Sequence, residues 1–324
     1  KFTLKAKKLL SELSILSPID TDSMMHNCSF DRFCPYEISI GLAKKAQVIV
    51  ADYYYIFNAP IMDRFLARTG KKLEDSIIII DEGHNLPERI RELMTNRLST
   101  LMMQRAIKEA KKHGYSETIA MLQDINDALT ALAKDIGPEK EKKIDKKEVI
   151  GLISKNTEFD EMITDLEFIG DEIRKQQKQS YIGSVASFLE SWTGDDRGFA
   201  RFISIKDSSR GALIQLTYRC LDPALISSAI IAQSHSTILM SGTLNPTYMY
   251  RDLLGFPKST EEKEFPSPFP KDNRLSLIIP KTTTRFTSRN DAQYREIAEI
   301  CKKTTDLVPG NSAIFFPSYY LRDR

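Results

Sequence analysis

Cysteine and net charge are both scarce in this sequence, and each scarcity rules something out. Four cysteines stand in 324 residues, Cys28, Cys34, Cys220 and Cys301, and none forms a C-x-x-C pair. That is too sparse for a secreted disulfide scaffold, and it leaves no self-sufficient zinc or iron–sulfur site. A net charge of +2 is too near neutrality for bulk attraction to nucleic acid, so any DNA contact has to come from local patches. No apolar run reaches the roughly 18 residues that a membrane-crossing helix needs, so no membrane association is expected. The pattern G-x-x-x-x-G-K-[ST] is absent as well, and Gly70-Lys71-Lys72 does not satisfy it. Without that loop there is neither a backbone cradle nor a lysine for nucleotide phosphates. The chain opens at Lys1 with no initiator methionine or signal pattern, and ends soon after an expected strand. It therefore reads as a piece of a longer protein.

What is present is ordinary globular material: 41% hydrophobic and 28% charged residues, enough for two or three domains of about 100–200 residues each. Four short apolar runs are expected as buried parallel strands: residues 47–51 (QVIVA), 76–80 (SIIII), 237–240 (TILM) and 312–316 (SAIFF). They are continuous rather than alternating, which predicts cover on both faces, as in an α/β sheet. Between the second and third runs the spacing turns to threes and fours. Leu98, Leu101, Met102, Ala106 and Ala110 share one helical face. Leu122, Ile125, Leu129, Leu132 and Ile136 share another, Phe159, Met162, Ile163, Leu166, Ile169 and Ile173 a third, and Ile182, Val185, Leu189 and Trp192 a fourth. Strands on both sides with helices between them predict a helical domain inserted into an α/β domain. The Lys-rich residues 134–148 read as a solvated surface, with a DNA-facing patch as the alternative. Residues 265–270 (FPSPFP) read as a stiff connector at a domain boundary.

The strongest chemical signal is Ile77-Ile78-Ile79-Ile80-Asp81-Glu82-Gly83-His84-Asn85. A buried strand delivers two acids to its carboxyl end, where ligands sit in open α/β sheets. An Asp there can hold a Mg²⁺ that bridges ATP phosphates, and a neighbouring Glu can activate the attacking water. A strand followed by Asp-Glu is also a common surface turn, but the full Asp-Glu-Gly-His after four isoleucines is far more specific.

The run Asp81-Glu82-Gly83-His84-Asn85-Leu86 resembles the DEAH box of the XPD and DinG helicases, with Gly83 where the family has Ala. Further pieces follow in the family's order. Cys34-Pro35-Tyr36 is similar to the fourth cluster cysteine and its neighbours. Ala51-Asp52-Tyr53-Tyr54-Tyr55-Ile56-Phe57 is similar to the aromatic run after the next strand. Ser241-Gly242-Thr243-Leu244 resembles helicase motif III, residues 265–270 the interdomain segment, and Phe315-Phe316-Pro317-Ser318-Tyr319 motif IV.

The resemblance implies an ATP-driven 5′→3′ DNA helicase, acting in repair on single-stranded or forked DNA, with repair-protein partners through its Arch. It implies an α/β fold with a RecA-like parallel sheet of the P-loop NTPase type, an inserted helical Arch and the start of a second RecA-like domain. Residues 1–34 would be the tail of an iron–sulfur cluster domain. Residues 35–90 would carry the acidic box of motor domain 1, 91–212 the Arch, 213–264 the return to motor domain 1, and 265–324 the start of motor domain 2. Asp81 would bind Mg²⁺ and Glu82 would be the catalytic base. His84, with Ser241, Gly242 and Thr243, would couple hydrolysis to DNA. Cys34 would be the fourth ligand of a 4Fe–4S cluster whose other ligands lie elsewhere, and Tyr36 would contact DNA.

The chain alone, without its phosphate loop, is expected to be inactive. A DinG-like helicase, and a non-catalytic Arch-centred module that binds DNA or proteins, stay open as alternatives. Abundant Lys, Glu and Ile, with no evident nuclear signal, lean toward an archaeal cytoplasm; a eukaryotic source would imply the nucleus.

Overall fold

Thr3 accepts a hydrogen bond from the Ala6 amide and so caps the first helix, α1 (Leu4–Ile15). In this computed structural model, which describes residues 3–16, 18–137, 140–208, 211–273 and 275–323, two further helices follow. Asp20 caps α2 (Thr21–Phe30), and Pro35 opens α3 (Pro35–Ala43), where a missing amide does no harm. Ala6, Leu13, Met24, Cys28 and Ile38 form one small core among them. Chain contacts divide the protein into two units, Lys1–Lys263 and Glu264–Arg324.

The first unit continues with α4 (Tyr54–Phe57) and α5 (Ala59–Thr69), which ends on a left-handed Gly70. Strand β1 (Ile77–Ile80) leads through a 3₁₀ turn at Gly83–Asn85 into α6 (Leu86–Leu93). An insertion then opens with β2 (Asn96–Ser99), α7 (Thr100–His113), α8 (Ser116–Ala133), β3 (Glu141–Lys143), α9 (Lys146–Ile153), α10 (Phe159–Gln176) and α11 (Tyr181–Trp192). It closes with β4 (Phe199–Ser208) and β5 (Gly211–Cys220). The chain returns through α12 (Ala224–Gln233), β6 (Ser236–Leu239) and α13 (Thr247–Leu253). No helix among the described residues is long and apolar enough to cross a membrane.

The expected strands at 76–80 and 237–240 are β1 and β6. They pair in parallel, from Ile77 opposite Ser236 to Ile80 opposite Leu239. The expected strand at 47–51 does not form: the segment is unpaired, with Val48 80% and Val50 96% exposed. The run at 312–316, in the second unit, likewise pairs with nothing among the described residues, and Phe315 is 92% exposed. A strand needs a neighbour for its amides and carbonyls, and the described chain offers neither run one. Nor is β1 covered on both faces. Ile80 is buried with Phe57, Leu86, Ile90, Ile230 and Leu254, while Ile77 and Ile79 face outward.

The insertion is not purely helical, as the sequence suggested. A four-stranded antiparallel sheet, ordered β2-β5-β4-β3, lies in it, and Leu98, read as helical, belongs to β2. The boundary placed after residue 212 falls inside the β4–β5 hairpin, which pairs from Phe199–Cys220 to Ser208–Gly211. The helical faces read from spacing do line the core, where Leu122, Leu129, Leu166, Ile182 and Trp192 are wholly covered. Arg201 is buried with them. It donates to the Trp192 carbonyl (2.9 and 3.1 Å) and the Gly194 carbonyl (2.6 Å), pairs with Asp196, and lies against the Tyr218 ring, 4.4 Å from its centroid. These contacts satisfy a charge that would otherwise be costly to bury. Of residues 134–148, the ones described are largely exposed, apart from Ile136 and Ile144, and Pro138 and Glu139 lie outside the described residues.

In the second unit, α14 (Asp291–Leu307) is capped by Asn290 and α15 (Tyr319–Arg322) by Ser318. The segment of residues 264–270 that precedes them has no regular structure.

Candidate functional site

Parallel pairing of β1 and β6 sets their carboxyl ends side by side. The Met240 amide donates to the Ile80 carbonyl and the Gly83 amide to the Met240 carbonyl, each at 2.9 Å. Asp81-Glu82-Gly83-His84 and Ser241-Gly242-Thr243, about 160 residues apart in sequence, thereby share one surface. His84 Nδ1 lies 2.7 Å from Ser241 Oγ and 3.2 Å from Glu82 Oε2, and Ser241 Oγ lies 3.2 Å from the same carboxylate oxygen. The Thr243 amide donates to Ser241 Oγ at 3.2 Å. One proton assignment satisfies the group: His84 Nδ1–H and the Thr243 amide donate to Ser241 Oγ, and Ser241 donates to Glu82. The structure therefore brings Glu82, His84, Ser241 and Thr243 into one hydrogen-bonded cluster.

Asp81 stands beside it. One of its oxygens accepts from the Glu82 amide at 2.9 Å, and among the described residues no ion pair engages the other. Two exposed carboxylates at a strand end suit a hard cation such as Mg²⁺, which takes only one or two carboxylates and fills its other positions with water and phosphate oxygens. Gly242 lies open, with nothing within 4 Å of where a Cβ would stand.

The backbone at the acids is unusual. Glu82 is left-handed, at φ 47° and ψ 40°, a conformation costly for a non-glycine residue and concentrated at functional sites. A residue assigned no individual role from its motif reaches this point. Tyr53, just before α4, donates its hydroxyl to the Asp81 carbonyl at 2.6 Å and lies 3.2 Å from the Glu82 carbonyl. Burial, and then the charges of Asp81 and Glu82, push the Tyr53 phenol above its ordinary value, so it stays a donor at neutral pH.

Cys34 and Tyr36 are elsewhere. Cys34 is exposed at the cap position of α3, and no three His, Cys, Asp or Glu side chains among the described residues group as metal ligands. Cys34 by itself does not make a cluster site, since four thiolates are needed. Cys28 is buried with its sulfur 3.7 Å from that of Met24, and burial raises its thiol, as it does for Cys220. Both are therefore poor nucleophiles and poor ligands. Tyr36 is partly exposed, with the Arg68 guanidinium 5.1 Å from its ring centroid. It lines an open cavity of about 1060 Å³ together with Val48, Val50, Asp52, Tyr55 and Phe65. Neither Cys34 nor Tyr36 makes a hydrogen bond to the Glu82 cluster among the described residues.

Residues 2–103 match the DEAD_2 family model. The chain is 27% identical, over 97% of its length, to the ATP-dependent DNA helicase XPD of Sulfolobus acidocaldarius, of which it covers 53%. It is 22% identical, over 92% of its length, to the general transcription and DNA repair factor IIH helicase subunit XPD/RAD3 of Saccharomyces cerevisiae, of which it covers 47%. The chain thus spans about half the length of these curated relatives. A solved XPD helicase structure superposes on 93% of the chain with a TM-score of 0.51, and a solved apo XPD structure on 86% with a TM-score of 0.52, both at 23% identity and covering 51% and 53% of those chains. The fold is accordingly a RecA-like domain carrying a mainly helical insertion. A family match over residues 2–103 and a sequence likeness along nearly the whole length thus make the chain similar to the XPD helicases, with which it shares its fold.

Proposed function

We propose that this chain is part of an ATP-dependent DNA helicase of the XPD type, which opens duplex DNA in repair and moves 5′→3′ on the strand it holds. The observation that carries the reading is the cluster of Glu82, His84 and Ser241, which joins the two strand-end loops by hydrogen bonds of 2.7 to 3.2 Å. In this reading Asp81 would hold Mg²⁺, which when bound would help neutralise the charge of the ATP phosphates. Glu82 orients the attacking water and takes its proton as the water oxygen bonds to the γ-phosphorus and the bond to the β–γ bridging oxygen breaks, releasing ADP and phosphate. His84 and Ser241 both contact the Glu82 carboxylate, so a shift of the Ser241-Gly242-Thr243 loop alters the base directly. That is the route by which DNA binding would reach the chemistry.

The phosphate loop, absent from this sequence, and the rest of the second motor domain would come from the remainder of the protein. The insertion, approximately residues 96–220, would be the Arch and a surface for repair partners. Cys34 would supply one thiolate to a 4Fe–4S cluster, and Tyr36 would stack on a base of the single strand.

The test uses the complete protein. Glu82→Gln keeps the size and hydrogen-bonding reach of the side chain but cannot take a proton. DNA-stimulated ATP turnover is expected to fall about a hundredfold or more, with ATP binding retained. Wild-type turnover in that variant would refute the assignment.

A further inference from the structure

The two carbonyls that the Tyr53 hydroxyl meets belong to the peptide planes on either side of the Glu82 α-carbon. Rotation about φ turns the Asp81–Glu82 plane, and rotation about ψ turns the Glu82–Gly83 plane. A single hydroxyl lying between both oxygens therefore holds the two angles together. In the left-handed conformation of Glu82 those oxygens converge. Their dipoles repel unless a donor lies between them, and the conformation costs energy that the surroundings have to offset. Tyr53 is itself held: it is half-buried, packs against the core that contains Phe57, Ile80 and Leu86, and immediately precedes α4. On the other side, the Gly83 amide is tied to Met240 of the neighbouring strand. Glu82 is thus gripped at both flanking peptides, and its side chain is aimed at His84 and Ser241.

We propose that Tyr53 is a positioning residue for ATP hydrolysis, holding Glu82 in its left-handed conformation so that the carboxylate stays where it can take the proton of the attacking water. This rests on the reading of Glu82 as the catalytic base. Tyr53 acts through the backbone of the acidic box, by its hydrogen bonds to the Asp81 and Glu82 carbonyls. Its effect therefore falls on the chemical step and not on nucleotide affinity.

The experiment is a double-mutant cycle in the complete protein with Tyr53→Phe, Glu82→Gln and the pair, reading ATP turnover per bound nucleotide alongside the nucleotide Kd. Tyr53→Phe removes one oxygen and keeps the ring. It is expected to lower kcat about five- to tenfold, the scale of one lost hydrogen bond at a preorganised group, with Kd and KM for ATP unchanged within about twofold. In the Glu82→Gln background the same change is expected to do nothing further, because the group it positions is already disabled. Wild-type turnover of Tyr53→Phe beside an inactive Glu82→Gln would overturn this proposal and leave the base assignment standing. An equal loss from Tyr53→Phe in both backgrounds would make the tyrosine merely structural and would also overturn it. Full turnover of Glu82→Gln would instead bring down the base assignment itself.

Discussion

Strands β1 and β6 leave Ile77 59%, Ile79 61% and Ile238 50% exposed, while the insertion between them covers Leu98, Leu129, Leu166 and Trp192 completely. Both regions belong to one unit of the chain, yet only one closes its own core. In the insertion, five described helices and an antiparallel sheet enclose one large shared core, and even Arg201 is enclosed by rings, carbonyls and a carboxylate. The strand pair has a small core on one face and an open apolar surface on the other. Exposed isoleucines in a row are uncommon on a surface that stays in water. The two hydrogen-bonded strand-end loops therefore sit on the less enclosed part of the unit, and the best-packed part carries no group of the Glu82 cluster.

The most forceful way to break the comparison is Leu129→Ala in α8. It removes atoms from a site with no exposure and is expected to destabilise the insertion by about 2–5 kcal/mol, as large-to-small core changes do. Trp192 is the single tryptophan and lies in that core, so its fluorescence during urea unfolding reports on the insertion directly. A midpoint unchanged from wild type would mean that the insertion core is not packed as described.

A sharper contrast lies within one strand. Ile80 is 2% exposed and Ile79 is 61% exposed, one residue apart. Ile80→Ala is expected to cost about 2–4 kcal/mol, whereas Ile79→Ala is expected to change the stability of this chain by no more than about 0.5 kcal/mol. Circular-dichroism melts of the two variants check the difference. Equal losses would show that the outer face of β1 is covered in solution.

The same contrast explains which elements are legible in the sequence. Helices α8, α10 and α11 were legible because their apolar residues recur at threes and fours and all find a core. The β4–β5 hairpin was not. Leu216, Thr217 and Tyr218 are buried in succession, and Arg201 is buried beside Trp192, so no alternation marks the strands and a charge stands where an apolar residue would be sought. The runs at 47–51 and 312–316 have the composition of strands, but pairing depends on a neighbour, which composition does not encode. At the site, the acids, His84 and Ser241-Gly242-Thr243 stood out as motifs. Tyr53 lies in the aromatic run of residues 51–57, but its role was not legible, because it acts on backbone carbonyls 28 residues away, a contact that leaves no pattern in side-chain identity.

The smallest expected effect tests whether the loosely covered strand pair can yield where the insertion cannot. A Cβ on Gly83 would stand 2.3 Å from Leu239 Cδ1, 2.7 Å from its Cγ and 3.3 Å from the Met240 carbonyl. The first two contacts are with a partly exposed side chain that can turn away, at a cost of about 0.5–1.5 kcal/mol if it leaves its preferred rotamer. Replacing glycine by alanine also restricts the unfolded chain, which stabilises by about 0.4–1 kcal/mol. The two nearly offset, so Gly83→Ala is expected to move stability by less than about 1 kcal/mol. In a Leu239→Ala background the side-chain obstruction is gone and only the 3.3 Å approach to the Met240 carbonyl is left, and the same substitution is expected to stabilise. A loss above about 2 kcal/mol that persists in that background would place the clash at the Met240 backbone instead. The strand ends would then be as unyielding as the insertion core, and the difference between the two regions would be one of cover alone.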